Sequence, residues 1–183
     1  MAEDAPDFVA SIRAETGLDI SPISGKEEAK LAALGLLAEN DRRVGIGADL
    51  GGASLEIMRI DPSLKEDGAP VQGVSLPLGP FDAIGGRLSE LKTSDYAVRV
   101  ADLDAELEKV PGYLDGGDTL YLVGGAWRNL AAIHQQRTNY PMRTLQGYSL
   151  SSNAAEDLAH WAWTDGIDEV LNWPGMRKAR AET

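Results

Sequence analysis

Val44-Gly45-Ile46-Gly47-Ala48-Asp49-Leu50-Gly51-Gly52-Ala53-Ser54-Leu55-Glu56-Ile57-Met58-Arg59-Ile60 is the stretch whose reading decides the fold. Two apolar, strand-like runs, Val44 to Leu50 and Ser54 to Ile60, meet at a glycine pair, which is the pattern of a strand-turn-strand junction. An acid, a hydroxyl and a second acid, Asp49, Ser54 and Glu56, flank the glycines. Such a turn can hold a phosphate. Glycine lets successive backbone N–H groups converge on an anion, and a nearby carboxylate can fix a divalent cation that neutralises the anion's charge. Gly51, Gly52 and Ala53 are the expected N–H donors, with the Ser54 hydroxyl beside them. An ordinary tight hairpin whose polar residues face water uses the same residues, and the octapeptide Asp49 to Glu56 alone does not separate the two readings.

Working outward, Val71 to Leu78 gives a third strand across the loop Asp61 to Pro70, and three sequential strands form a meander whose simplest pairing is antiparallel. Ahead of them, Asp7 to Thr16 reads as a helix with Phe8, Val9 and Ile12 on its apolar side and Gly17 as its C-cap. Leu18 to Ile23 is a short extended piece interrupted by Pro22. A second helix starts at Ser24, which forms a capping box with Glu27; Leu31, Leu34 and Leu37 carry its period to Ala38, and Asn40-Asp41 ends it. Beyond the meander, Phe81 to Leu91 and Tyr96 to Val110 read as helices, the latter stopped by Pro111-Gly112.

Thr119 to Val123 then suits a buried strand, and Ala126 to Gln136 a helix, with Gly124-Gly125 between them. Strand, glycine pair, helix is a second candidate ligand site. The helix start offers free N–H donors and a positive dipole end, and Arg128 can grip a phosphate with two N–H groups. Close packing of the helix on the strand accounts for the glycines as well. Asn153 to Trp163 and Ile167 to Leu171 are helical, and Asn172 to Gly175 is a turn. Trp161, Trp163 and Trp173 read as packing anchors, and His134 as a packed or surface imidazole. This order of elements is an α/β pattern, that of one ribonuclease-H-like lobe of the actin-like ATPase superfamily.

Composition narrows the chemistry. A chain of 183 residues suits one domain or two small lobes. A formal net charge of −12 repels nucleic acid and anionic membranes, so a phosphate ligand must come with a cation or meet a local basic pocket. The absence of cysteine excludes disulfides and thiolate sites, and two histidines are few for a multi-histidine zinc site, so Mg²⁺ or Mn²⁺ bound by oxygen is the cation expected. No stretch approaches the roughly 18 apolar residues of a membrane span, and the acidic N-terminus Met1-Ala2-Glu3-Asp4 is unlike a secretory signal, so a cytoplasmic address is expected.

Five segments resemble one family, in that family's order: ISGKEEAKLAALGLL from Ile23 to Leu37, ADLGGASLE from Ala48 to Glu56, SLPLG from Ser75 to Gly79, LVGGAWRNLA from Leu122 to Ala131, and YPMRTLQGYSLS from Tyr140 to Ser151. The family is that of the exopolyphosphatases and guanosine pentaphosphate phosphatases, Ppx/GppA. The chain departs from the family pattern at Ala53 and Leu55, which stand for a glycine and a threonine, at Gln146, which often is histidine, and at Ala126-Trp127. The family's N-terminal phosphate loop does not occur before Asp7, and the chain stops before the family's closing strand and helix. The expectation is therefore a piece of a longer enzyme, with 1–38 as the C-terminal edge of the first lobe and 39–183 as a truncated second lobe.

The resemblance implies that Glu28 is the base for the attacking water and that Asp49 and Glu56 are ligands of Mg²⁺ (or Mn²⁺), directly or through water. Gly51, Gly52, Ala53, Ser54, Gly124, Gly125 and Arg128 would then bind phosphate. Glu27 has its capping role, whereas Glu28 shares a helix face with Ala32 and Gly35 and has no such duty; its other reading is a solvated first-turn acid. The implied substrate is inorganic polyphosphate or a guanosine polyphosphate, and the implied activity is removal of a terminal phosphate, nearly absent from the fragment alone. An exposed apolar face where the absent lobe would sit would favour a homodimer. The competing reading is a non-catalytic regulatory module that binds a guanosine polyphosphate; sugar-kinase-like phosphotransfer shares the fold but finds no sugar site in the sequence.

Overall fold

The computed structural model of the chain describes residues 4–39, 42–66, 72–79, 96–112 and 117–173. Two helices lead in, α1 (Ala5–Thr16) and α2 (Gly25–Glu39), followed by β1 (Gly45–Leu50), β2 (Leu55–Ile60), a 3-10 turn (Pro62–Lys65) and β3 (Gly73–Leu76). Next come α3 (Tyr96–Leu107), β4 (Leu120–Val123), α4 (Gly125–Arg137), α5 (Ser152–Thr164) and α6 (Ile167–Leu171). The expected helix Phe81 to Leu91, the residues Asn40-Asp41 and the turn residues Pro174-Gly175 lie outside the described residues. Gly17 closes α1 in the left-handed conformation, φ 73°, its N–H donating to Arg13 O. The Ser24 hydroxyl caps α2 by accepting from the Glu27 N–H at 3.2 Å.

The four strands form one sheet in the order β3-β2-β1-β4. β1 pairs antiparallel with β2, and β2 with β3, as the meander requires. β4 returns parallel to β1, which only a crossover connection can achieve. Three antiparallel strands extended by a parallel one on the β1 side, with helices packed against the sheet, give the mixed α/β lobe expected from the order of elements.

Residues paired across a ladder share a sheet face, so Gly45, Gly47, Met58, Ile60 and Tyr121 lie on one side. There they meet α2, and Ala29, Ala33, Leu37, Met58, Ile60 and Leu64 form the buried core, with Tyr121 packed against it. The fully buried helix face is Ala29-Ala33-Leu37; of the expected leucines, Leu37 lies in it, Leu34 packs against it and Leu31 stands 51% exposed. Small side chains on the helix let it come close to the sheet, and the longer Met58 and Ile60 fill the space over the glycines of β1. A Cβ at Gly47 would lie 3.0 Å from both Ile60 Cδ1 and Met58 Cγ. The β1 glycines therefore make room for core side chains.

β4 also departs from its reading as a buried strand. Leu120 and Leu122 are 58% and 46% exposed, on the sheet face opposite α2. An apolar run does not tell an edge strand from a central one, and among the described residues β4 is an edge. α1 has no buried residue, and Phe8, Leu18, Ile20 and Ile23 are exposed. A second core joins α4, α5 and α6 through Ile133, Leu158 and Val170, with Trp161 and Trp173 packed against it in the anchoring role expected of them. The Arg137 guanidinium lies 3.6 Å from the centre of the Trp161 ring and 3.7 Å from Glu169 Oε2.

The segment after α4 folds back on the body of the lobe. Gln135 is buried and donates from Nε2 to Thr144 O at 2.7 Å, and His134 Nδ1 is 2.6 Å from the Tyr148 hydroxyl. Gln146 Nε2 donates to Glu39 Oε1 at 2.9 Å, while Arg43 binds Glu39 Oε2 and Leu36 O, each at 3.0 Å. The C-terminal end of α2 is thereby tied to residues more than a hundred positions later in the chain.

Candidate functional site

The turn between β1 and β2 is closed by the Gly51 N–H, which donates to Ser54 O at 3.0 Å. That bond withdraws Gly51 from the set of expected phosphate donors. Gly52, Ala53 and the Ser54 N–H and hydroxyl remain. Asn139 is the non-glycine residue with positive φ among those described, so Ala53 stands in the turn without the strain that a left-handed backbone would impose.

Asp49 pairs with Glu56 directly across the β1–β2 ladder, on the α2 side of the sheet. Glu56 is 1% exposed, and its Oε1 accepts from the Ser75 hydroxyl of β3 at 2.7 Å. Glu28, in the first turns of α2, donates its N–H to Ser24 O. Its carboxyl binds its proton more tightly than usual, first because of partial desolvation and then because of the charges of Glu56 and Asp49. Asp49 is raised as well, by desolvation first and then by Glu56, against an opposing pull from the Arg128 guanidinium. The three acids thus feel one another's charge, and they do so around the end of the sheet where α2 begins.

The second glycine pair belongs to the same place. In the parallel ladder Asp49 pairs with Val123, so Gly124 follows immediately beside the end of β1. Gly124 takes φ 116°, ψ 170°, a conformation in effect reserved for glycine. A Cβ on it would lie 2.7 Å from Leu50 O and 3.3 Å from Asp49 Oδ1. The two glycine sites read separately from the sequence are therefore one rim, with α4 starting at Gly125 next to Asp49. No side chain caps α4, so its first N–H groups remain donors, and Arg128 is exposed one turn in. Trp127, also in the first turn, has a buried indole N–H without a hydrogen-bond partner.

These residues suit a divalent cation held loosely. Among the described residues no three acid or histidine side chains are arranged to hold one ion between them. Mg²⁺ keeps several waters and needs one or two carboxylates plus substrate oxygens, and Asp49 and Glu56 are the carboxylates that could serve it here.

Two residues of the site gave no individual signal. Ser75 was visible only as part of SLPLG, because its partner depends on the β2–β3 register, Glu56 opposite Ser75. Gly79 ends that segment against the turn, where a Cβ would lie 2.2 Å from Ala53 Cα. A shallow notch lined by Arg59, Asp61, Ser63, Leu64 and Gln72 lies at the other end of β2 and includes none of the acids.

The chain is similar throughout its length to solved structures of one kind. It superposes on an exopolyphosphatase-like protein with a TM-score of 0.78 at 20% identity, covering 99% of this chain and 59% of that one. For an exopolyphosphatase from Cytophaga hutchinsonii the TM-score is 0.76 at 18% identity, again with 99% and 59% covered. For the Aquifex aeolicus PPX-GPPA enzyme it is 0.73 at 21% identity, with the same coverage. The chain thus spans about three fifths of the length of these relatives, and the likeness at such identities establishes the shared fold. No individually curated protein matches it. The model of the Ppx/GppA phosphatase family matches residues 1–182, and the chain belongs to that family.

Proposed function

We propose that this chain supplies the acid-lined part of a phosphohydrolase site that removes the terminal phosphate of inorganic polyphosphate or of a guanosine penta- or tetraphosphate. The observation that carries the reading is the pairing of Asp49 with Glu56 beside Gly124, with Glu28 in electrostatic contact with both. Family membership supports the same chemistry.

Hydrolysis of a phosphoanhydride needs a positioned water, a base, and positive charge where negative charge spreads over the transferred group. Glu28 is suited to be the base, because partial desolvation, and after it the charges of Glu56 and Asp49, raise its proton affinity. The water oxygen bonds to the terminal phosphorus, the bridging P–O bond breaks, the shortened chain leaves, and Glu28 takes the water's proton. Asp49 and Glu56 would hold Mg²⁺ or Mn²⁺, which when bound would counter the charge of the phosphate. Gly52, Ala53 and Ser54 on one side, and the α4 N-terminus with Arg128 on the other, would orient the phosphate oxygens. Residues 1–38 would then belong to the edge of a first lobe and 39–183 to the second. Because positioning supplies most of the catalysis in phosphoryl transfer, the 183-residue chain alone should turn over poorly.

Glu28→Gln tests the reading in a chain of the relatives' full length. Turnover of polyphosphate with Mg²⁺ should fall by about a hundredfold or more, the usual worth of a general base, while polyphosphate binding stays within about threefold. Unchanged turnover would refute the role of Glu28 and favour a module that binds a guanosine polyphosphate without cleaving it.

A further inference from the structure

We propose that Ser75 is a positioning residue for Glu56, holding one carboxylate oxygen so that the other is presented to a divalent cation. The inference rests on the cation reading above. Its basis is the geometry of β3 beside the site. The register sets Ser75 opposite Glu56, and the serine hydroxyl lies 2.7 Å from Oε1. An ionised carboxylate can only accept, so the hydroxyl proton points at Oε1, and the rotation of the glutamate side chain is fixed by that bond. The Ser75 bond takes Oε1, so a cation held by Glu56 would be bound through Oε2.

Burial sharpens the point. Glu56 is 1% exposed, and a buried carboxylate needs donors or a cation to offset its lost hydration. One hydroxyl is a small compensation for that lost hydration. A cation at Oε2 would complete it.

The serine itself is held in place from two sides. A Cβ at Gly25, the first residue of α2, would lie 2.8 Å from Ser75 Cβ and 2.9 Å from its Oγ, so the start of the helix presses on the hydroxyl as closely as a glycine allows. At the other end of the segment, Gly79 abuts the backbone of Ala53 in the turn. The Ser75–Gly79 strip therefore braces the carboxylate and the glycine turn together. Ser75 is exposed, so replacing it removes the hydroxyl without opening a core cavity.

The test is a Mn²⁺ titration of the 183-residue chain, with free Mn²⁺ followed by electron paramagnetic resonance and the fold of each variant checked by circular dichroism. Ser75→Ala should weaken Mn²⁺ binding by about tenfold or more, the usual effect of losing a hydrogen bond behind a metal ligand. Ser75→Thr, which keeps the hydroxyl, should stay within about threefold of wild type. Mn²⁺ affinity within twofold of wild type in Ser75→Ala overturns the inference. So does an equal loss in Ser75→Thr, which would point to packing and not to the hydroxyl. If the wild-type chain takes up no Mn²⁺, the cation reading itself fails, and this inference with it.

Discussion

Gly124→Ala is the most informative substitution, because the structure gives two independent reasons for its cost and ties both to the site. The first is conformational. At φ 116°, ψ 170° an alanine occupies a region in effect closed to side chains, at a cost of about 1–3 kcal/mol. The second is steric. The new methyl would lie 2.7 Å from Leu50 O, well inside ordinary contact, so β1 or β4 must move by several tenths of an ångström, and overpacking of this kind costs about 1–3 kcal/mol more. Both strains are relieved by the same backbone shift, so their sum is an upper bound, and about 2–5 kcal/mol is the expected loss. For a chain of this size that lowers the melting temperature by roughly 5–15 °C. Thermal denaturation by circular dichroism measures it, and a Mn²⁺ titration of the folded variant should show weakened binding, because the same methyl is 3.3 Å from Asp49 Oδ1. A melting temperature within about 2 °C of wild type, with Mn²⁺ affinity unchanged, would refute the close approach of β4 to β1 on which the single-rim description rests.

Gly35→Ala should act in the opposite sense: the position is inside α2, nothing lies within 4 Å of the added methyl, and the gain should be about 0.5–1 kcal/mol, seen as a rise in melting temperature; a fall would contradict the open surface there. Stability should also depend on pH through the acids. Glu28 and Asp49 bind protons more tightly folded than unfolded, so their contribution favours the fold at low pH and is lost as pH rises from the ordinary carboxylate values of 4.5 and 3.8 through the raised ones. Asp61, lowered chiefly by the Ser63 N–H, works the other way, its contribution being lost only as pH falls below 3.8. Without divalent cation, Asp49→Asn should therefore gain melting temperature relative to wild type more at pH 7.5 than at pH 4, and an equal difference at both would contradict the raised proton affinity of Asp49.

Local signals in the sequence carried far. Gly17 and Ser24 marked helix ends by conformational and capping chemistry that acts within a few residues, and both act as expected. The meander and the position of Asp49 beside a glycine turn followed from alternation and turn residues. What the sequence concealed is what depends on how distant pieces meet. Leu31, Leu34 and Leu37 have helical spacing, yet Leu37 is the one of them that is fully buried, beside Ala29 and Ala33, where the helix comes close to Gly73 of the sheet. The Gly51 N–H is consumed by its own turn, a bond that residue type cannot disclose. Leu120 and Leu122 looked like interior residues, and only the strand order shows β4 at an edge. Ser75 was one hydroxyl in a strand until the β2–β3 register set it against Glu56.

The bonds at the far end of α2 have a mechanical consequence. Gln146 and Arg43 fasten the helix at Glu39, and Glu28 sits about three turns away near the opposite end. Between its ends Ala29, Ala33 and Leu37 are packed on the sheet, and Gly25 lies tight against Ser75, so the helix is held as one stiff rod along its length. A contact made near Gln146 therefore bears on the same rigid element that carries Glu28, about 16 Å away by the rise of an α-helix.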